Sequence, residues 1–331
     1  MRPIPRLACV LALAALTGCG DDDPDPEPAE TTWSTAFALD DAALLSVWGP
    51  AAHEIYAVGG LPDRGLARRF DGRAWSDLTV PDGPLLNWVH GCGDTLWMVG
   101  NDGRALRRVG DGAFEAVDTG ETQDLWGVWC AAPDRAWAVG GDAAAVDGAP
   151  DPVVIEWDGA AWHRIALPAL DREIRAFFKV WGTGPDHVFA VGAKGVIVRW
   201  NGTAWQQQLA GTTRDFVSLW GRAPDDIVAV GGRANGMVAR YDGVTWTSVS
   251  LDTEPGMNGV WVDAAGTAHI VGLRGRILRM APGGFDYERE RYTEPWLLHA
   301  IWGTDGGRLY AVGGTLDQTP PWQGIALRGD R

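Results

Sequence analysis

The sequence predicts an all-β protein, a seven-bladed β-propeller whose N-terminal strand closes the last blade, and three observations carry that expectation. A tryptophan returns at Trp48, Trp129, Trp181, Trp220, Trp261 and Trp302, with His90 in the one gap, at steps of 42, 39, 52, 39, 41 and 41 residues. That period is close to the length of a four-stranded propeller blade. Turn dipeptides recur within the copies as Asp71-Gly72, Asp111-Gly112, Asp158-Gly159, Asn201-Gly202 and Asp242-Gly243, each soon followed by an aromatic residue. Asp-Gly and Asn-Gly supply the positive φ that a two-residue hairpin needs, so a hairpin is expected at each. The seventh copy stops at Arg328-Gly329-Asp330-Arg331 with no fourth strand written, while Thr31–Phe37 ahead of the first copy reads like Arg73–Leu78. The N-terminus is therefore expected to supply the outer strand of the last blade, which leaves no unpaired sheet edge.

Ahead of the ring, residues 1–18 carry Arg2 and Arg6 and then an apolar run from Leu7 to Leu16, the charged head and hydrophobic stretch of an export signal too short to span a bilayer. Leu16-Thr17-Gly18-Cys19 resembles the lipobox of bacterial lipoproteins. The resemblance implies cleavage before Cys19, lipidation of its thiol, and attachment to a bacterial cell envelope membrane. Residues 19–30 follow as an acidic, Pro-rich tether, Asp21-Asp22-Asp23-Pro24-Asp25-Pro26-Glu27-Pro28-Ala29-Glu30. At about 3 Å per residue it would hold the domain roughly 20–30 Å from the membrane.

The formal charge is −15, and removal of Arg2 and Arg6 with the leader takes it to −17; the tether holds six acids, which leaves the folded part near −11. Such a surface repels phosphate backbones, so nucleic acid is not an expected partner.

Within the first copy the strands read Leu44–Gly49, Glu54–Gly60, Gly65–Phe70 and, after the turn, the segment from Trp75. The repeat-register tryptophans are packing residues, each able to bury on the order of 200 Å² between blades. Cys92 and Cys130 lie just past the inner strands of adjacent blades in an exported chain, so a disulfide is expected between them.

Tyr56-Ala57-Val58-Gly59-Gly60 followed by Arg69-Phe70-Asp71-Gly72 and Trp75 resembles a kelch repeat. With the preceding Val-Trp-Gly, the pattern is closer to propeller repeats of secreted bacterial, often myxobacterial, lipoproteins described as kelch-like, galactose-oxidase-like or BNR-like. The likeness implies the fold over residues 31–331 and no particular activity. A sialidase site would need a free tyrosine nucleophile on the channel face. Tyr56 and Tyr310 fall on core strand positions, and Tyr287 and Tyr292 on the outer strand of blade six. The six histidines, at 53, 90, 163, 187, 269 and 299, show no metal-ligand spacing, and no metal, cofactor or catalytic residue is expected.

A ligand site is expected at the mouth of the central channel. Counting back three residues from the repeat tryptophan gives Leu45, Asn87, Trp126, Phe178, Val217, Asn258 and His299, a ring that varies while its neighbours do not. Lys179 and Trp88 add a charge and a further aromatic. The nominated ligand-binding residues are Asn87, Trp88, Trp126, Phe178, Lys179, Asn258 and His299. Insertions at 141–152 and 315–322 are expected on the same face. Alanine at Asn87, Asn258 and His299 should then remove binding and leave stability intact. The expected role is a monomeric, envelope-anchored binding or scaffold module for a protein, peptide or glycan. A glycan-active hydrolase or lyase on the same fold, and a purely structural surface protein, remain as alternatives.

Overall fold

The computed structural model describes residues 30–304, 307–315 and 321–331. The leader and most of the tether, including Cys19, lie outside the described residues, as does most of the 315–322 insertion. Residues 31–331 form seven four-stranded antiparallel sheets. Six are built from consecutive strands. The seventh joins Thr32–Leu39 to Gly324–Asp330, followed inward by Leu309–Gly314 and Leu298–Gly303. The chain is thus a seven-bladed β-propeller closed by its N-terminal strand, as the truncated last copy predicts. Pairing runs from Thr32 opposite Asp330 to Leu39 opposite Gly324. The indole of Trp33 donates to Glu290 of blade six, as does the Thr31 hydroxyl.

Val-Trp-Gly has a steric explanation. A Cβ on Gly91, Gly182, Gly221 or Gly303 would lie 2.5–3.1 Å from the ring of Trp48, Trp129, Trp181 or Trp261 of the preceding blade. Each tryptophan is therefore seated on the glycine that follows the next blade's ring residue, and the register repeats around the channel. Where His90 replaces tryptophan, Cys130 occupies the glycine position of the next blade. The smaller ring leaves room for that side chain, and Cys130 N–H donates to His90 Nδ1 at 3.1 Å. Val262 stands at the equivalent place beside Trp220, and nothing in the structure explains it. Cys130 forms the expected disulfide with Cys92, with Cα atoms 5.5 Å apart and a sequence separation of 38. In the chain-entropy account that closure contributes at most about 4 kcal/mol.

Farther out, the second-strand aromatic of one blade inserts between two aromatics of the next. Trp97 meets Trp157 and Trp162, Phe189 meets Tyr241 and Trp246, and Tyr310 of blade seven meets Phe70 and Trp75 of blade one. The last contact carries the pattern across the closure.

The Asp-Gly turns differ from the expected two-residue hairpins. Phe70 pairs with Trp75, so the loop holds four residues. Asp71 Oδ1 accepts from the backbone N–H groups of Arg73 and Ala74. Asp158, Asn201 and Asp242 cap their turns in the same way. The short side-chain acceptor satisfies two amide donors, so only the glycine needs a positive φ: Gly72 has φ +93°, and its hydrogen-only face abuts His53 of the neighbouring turn. Blade two departs, with the positive φ at Gly110 instead of Gly112.

Candidate functional site

The inner strands begin on the face that also carries the loops between second and third strands. There a cavity of about 660 Å³ is lined by all seven residues of the predicted ring, together with Trp88 and Lys179. Pro62, Asn101 and Arg233 from those loops also line it, as do Ala143 and Ala144 from the 141–152 insertion. The structure therefore gathers every nominated residue at one place, and the described insertion borders it. The size lies within the range of small-ligand and short-peptide pockets.

The residues differ in what they present. Asn87 is 4 % exposed. Its Nδ2 donates to Asn101 Oδ1 at 2.9 Å and to the carbonyl of Leu125 in blade three at 3.0 Å. Asn258 Nδ2 makes the same bond across blades, to the carbonyl of Leu298 at 3.0 Å. Both asparagines thus pin adjacent blades at one register position, a role the sequence reading missed. Alanine at these sites removes inter-blade hydrogen bonds worth about 1 kcal/mol each, so the triple alanine substitution would lower stability as well. Trp126 donates its indole N–H to the Gly141 carbonyl at 2.9 Å and so fixes the start of the insertion. Phe178 stands edge-on to Trp126 at 6.4 Å, and the Arg233 guanidinium lies 6.0 Å from the Phe178 ring. Aromatic surface therefore walls the side formed by blades two to four.

Lys179 sits two residues before its repeat tryptophan. The other blades have Ser46, Trp88, Gly127, Ser218, Gly259 and Ala300 at this position. Five of the seven are small, and the two large ones meet: Lys179 Nζ lies 2.9 Å from the centroid of the Trp88 ring. Nζ also reaches the Trp126 carbonyl at 3.5 Å. The side chain is 6 % exposed, and burial pushes its ammonium well below the usual lysine range. The expected surface charge at the mouth is therefore a buried one. Among the described residues no carboxylate pairs with it.

Among the described residues Asp124 is the one carboxylate lining the cavity. Desolvation raises its pKa, opposed by the backbone N–H of Asp102, which donates to Oδ1 at 3.2 Å. A glycosidase pair needs two acids about 5–10 Å apart across the bond to be cut. The described lining offers a single acid.

No protein-family model matches this chain, and neither does any curated protein. Solved structures do. YCF48 bound to D1 peptide is 16 % identical, covering 89 % of this chain and 96 % of that one, with a TM-score of 0.63. YCF48 from Cyanidioschyzon merolae is 14 % identical over 91 % and 98 %, at 0.65. The WD40 β-propeller domain of Doa1 is 11 % identical over 89 % and 97 %, at 0.66. What is shared is the fold. These neighbours are YCF48 and WD40 propellers, and none bears the name of a kelch or BNR protein or of a lipoprotein.

Proposed function

We propose that this protein is an envelope-anchored binding module that holds a peptide segment of a partner in the mouth of its propeller. The observation that carries the reading is the cavity of about 660 Å³, walled by Trp88, Trp126 and Phe178 and bordered by the 141–152 insertion. Aromatic side chains offer large contact area at little entropic cost, which suits extended peptides. One neighbour of the same fold was solved with a peptide bound, which supports a peptide over a glycan as the first partner to test. The described lining holds a single acid, Asp124, and this supports binding as the reading to test before glycan cleavage.

The direct test selects peptides from a displayed library on immobilised residues 31–331. Phe178→Ala removes a half-buried wall residue whose ring makes no hydrogen bond, and should weaken the selected peptides at least ten-fold with a small change in melting temperature. Equal binding to both proteins would place the contact surface elsewhere.

Anchoring rests on Leu16-Thr17-Gly18-Cys19 and has its own test. Cys19→Ala should leave an uncleaved precursor that takes up no labelled palmitate, and globomycin should leave the unaltered chain as an uncleaved precursor. Normal cleavage and release of the variant would overturn the anchor and leave the mouth reading untouched.

A further inference from the structure

The cavity buries an amine that has no counterion among the described residues. Lys179 is more than nine-tenths buried, lines the cavity, and has its ammonium against the Trp88 ring and the Trp126 carbonyl. A buried ammonium without a carboxylate is costly, because attraction to an indole and one long carbonyl contact replace only part of its hydration. Among the described residues none of the seven blades supplies an acid to it. Nearby, Asn87 Oδ1 is buried with no hydrogen-bond partner among the described residues, so a second polar atom is unsatisfied in the same wall.

We propose that the peptide held in the mouth supplies the missing counterion, a carboxylate that pairs with Lys179 against the Trp88 ring. The inference rests on the mouth being the binding site. The chemistry is shared by two sources, a free C-terminus and an Asp or Glu side chain. Among the described residues, the remaining titratable groups lining the cavity are Asp124, Arg233 and His299. Arg233 stands near Phe178, where it can draw an anionic peptide toward the mouth without entering the buried pair. Pairing favours the protonated amine, so a ligand carboxylate raises the midpoint at which Lys179 releases its proton. Above the free-state midpoint, binding takes up at most one proton from solvent for each carboxylate bound, and affinity falls as pH rises past the bound-state midpoint.

The chain has only two lysines, Lys179 and Lys194, so protein labelled with 15N-lysine gives two side-chain signals, assigned by Lys179→Met. Residues 31–331 carry every strand of the ring and serve for the experiment. The probes are benzoate against benzamide, then one display-selected peptide as free acid, as C-terminal amide, and with each acidic side chain replaced by its amide. Benzoate should move the Lys179 signal and raise its titration midpoint, while benzamide does neither. The selected peptide should lose at least ten-fold in affinity when its pairing carboxylate is neutralised, and an equal factor with Lys179→Met. Lys179→Gln gives the same comparison with a polar replacement. Loss on C-terminal amidation assigns the C-terminus, and loss on side-chain replacement assigns Asp or Glu. Binding that survives both lysine variants yet is lost in Phe178→Ala overturns the counterion and keeps the mouth. Binding that survives all three overturns both. No response of Lys179 to benzoate at tens of millimolar, or a response to glucuronate but to none of the peptide acids, overturns the peptide carboxylate.

Discussion

Deleting residues 31–39 should abolish the single cooperative unfolding transition and leave a protein that aggregates at temperatures where the intact domain is monodisperse. The deletion removes seven paired positions from the edge of blade seven. It also removes the contacts of Trp33 and Thr31 with Glu290, and the packing of Phe37 between Trp75, 5.0 Å away, and the Arg68 guanidinium, 4.5 Å away. Backbone hydrogen bonds at about 1 kcal/mol net each and several hundred Å² of lost apolar burial amount to roughly 5–10 kcal/mol. That is comparable with the whole stability of a typical domain. The exposed edge at Gly324–Asp330 would then be open to pairing with other chains. Differential scanning calorimetry and light scattering read both effects, and a synthetic peptide of residues 31–39 added in trans should restore part of the transition. A truncated protein melting within a few degrees of the intact one would mean that blade seven is stable with three strands.

The same strand shows why so much of this fold was legible in the sequence. Trp33 matches Trp75 in local context, and the last copy is short by one strand, so closure follows from counting. The gathering of the candidate residues round one cavity was legible to the same degree, because residues at one offset from a repeat tryptophan must share one height in the ring. Chemistry that depends on other blades was less visible. Asn87 and Asn258 donate to backbone carbonyls, whose positions leave no mark in the sequence. The aspartates of the Asp-Gly turns spell the same dipeptide whether the loop has two residues or four. Burial of Lys179 did have a signal: serine, glycine or alanine at its register position in five of the other six blades leaves room for a long side chain. Reading that offset as a second ring would have shown it. Cys130 beside His90 had one too, because it breaks the Trp-Gly pair in the blade that follows the missing tryptophan.

His90 should make the ring acid-labile. Its side chain is 9 % exposed, 4.9 Å from the Trp48 ring and 6.3 Å from that of Trp129, and burial pushes its pKa down to about 3. Nδ1 accepts the Cys130 N–H, so the neutral ring carries its proton on Nε2, and protonating Nδ1 sets two donors against each other. The unfolded chain has a histidine of ordinary pKa near 6.5 and binds a proton that the folded ring refuses. The stabilisation from keeping His90 neutral is therefore complete above about pH 6.5, and is lost at up to about 1.4 kcal/mol per unit as pH falls toward 3. The full span amounts to roughly 4–5 kcal/mol gross. Attraction between an imidazolium and the two indoles would oppose it by about 1–2 kcal/mol, too little to reverse the sign. His90→Gln keeps an acceptor for the Cys130 amide and cannot take a proton. Urea unfolding of both proteins from pH 7 to 4 should show the wild type losing about 2–3 kcal/mol relative to the variant. Contributions from His187 and His269, whose pKa values burial also lowers, cancel in that difference. Parallel curves for the two proteins would mean that the ring admits a charged imidazole, and that stacking between Trp48 and Trp129 outweighs its desolvation.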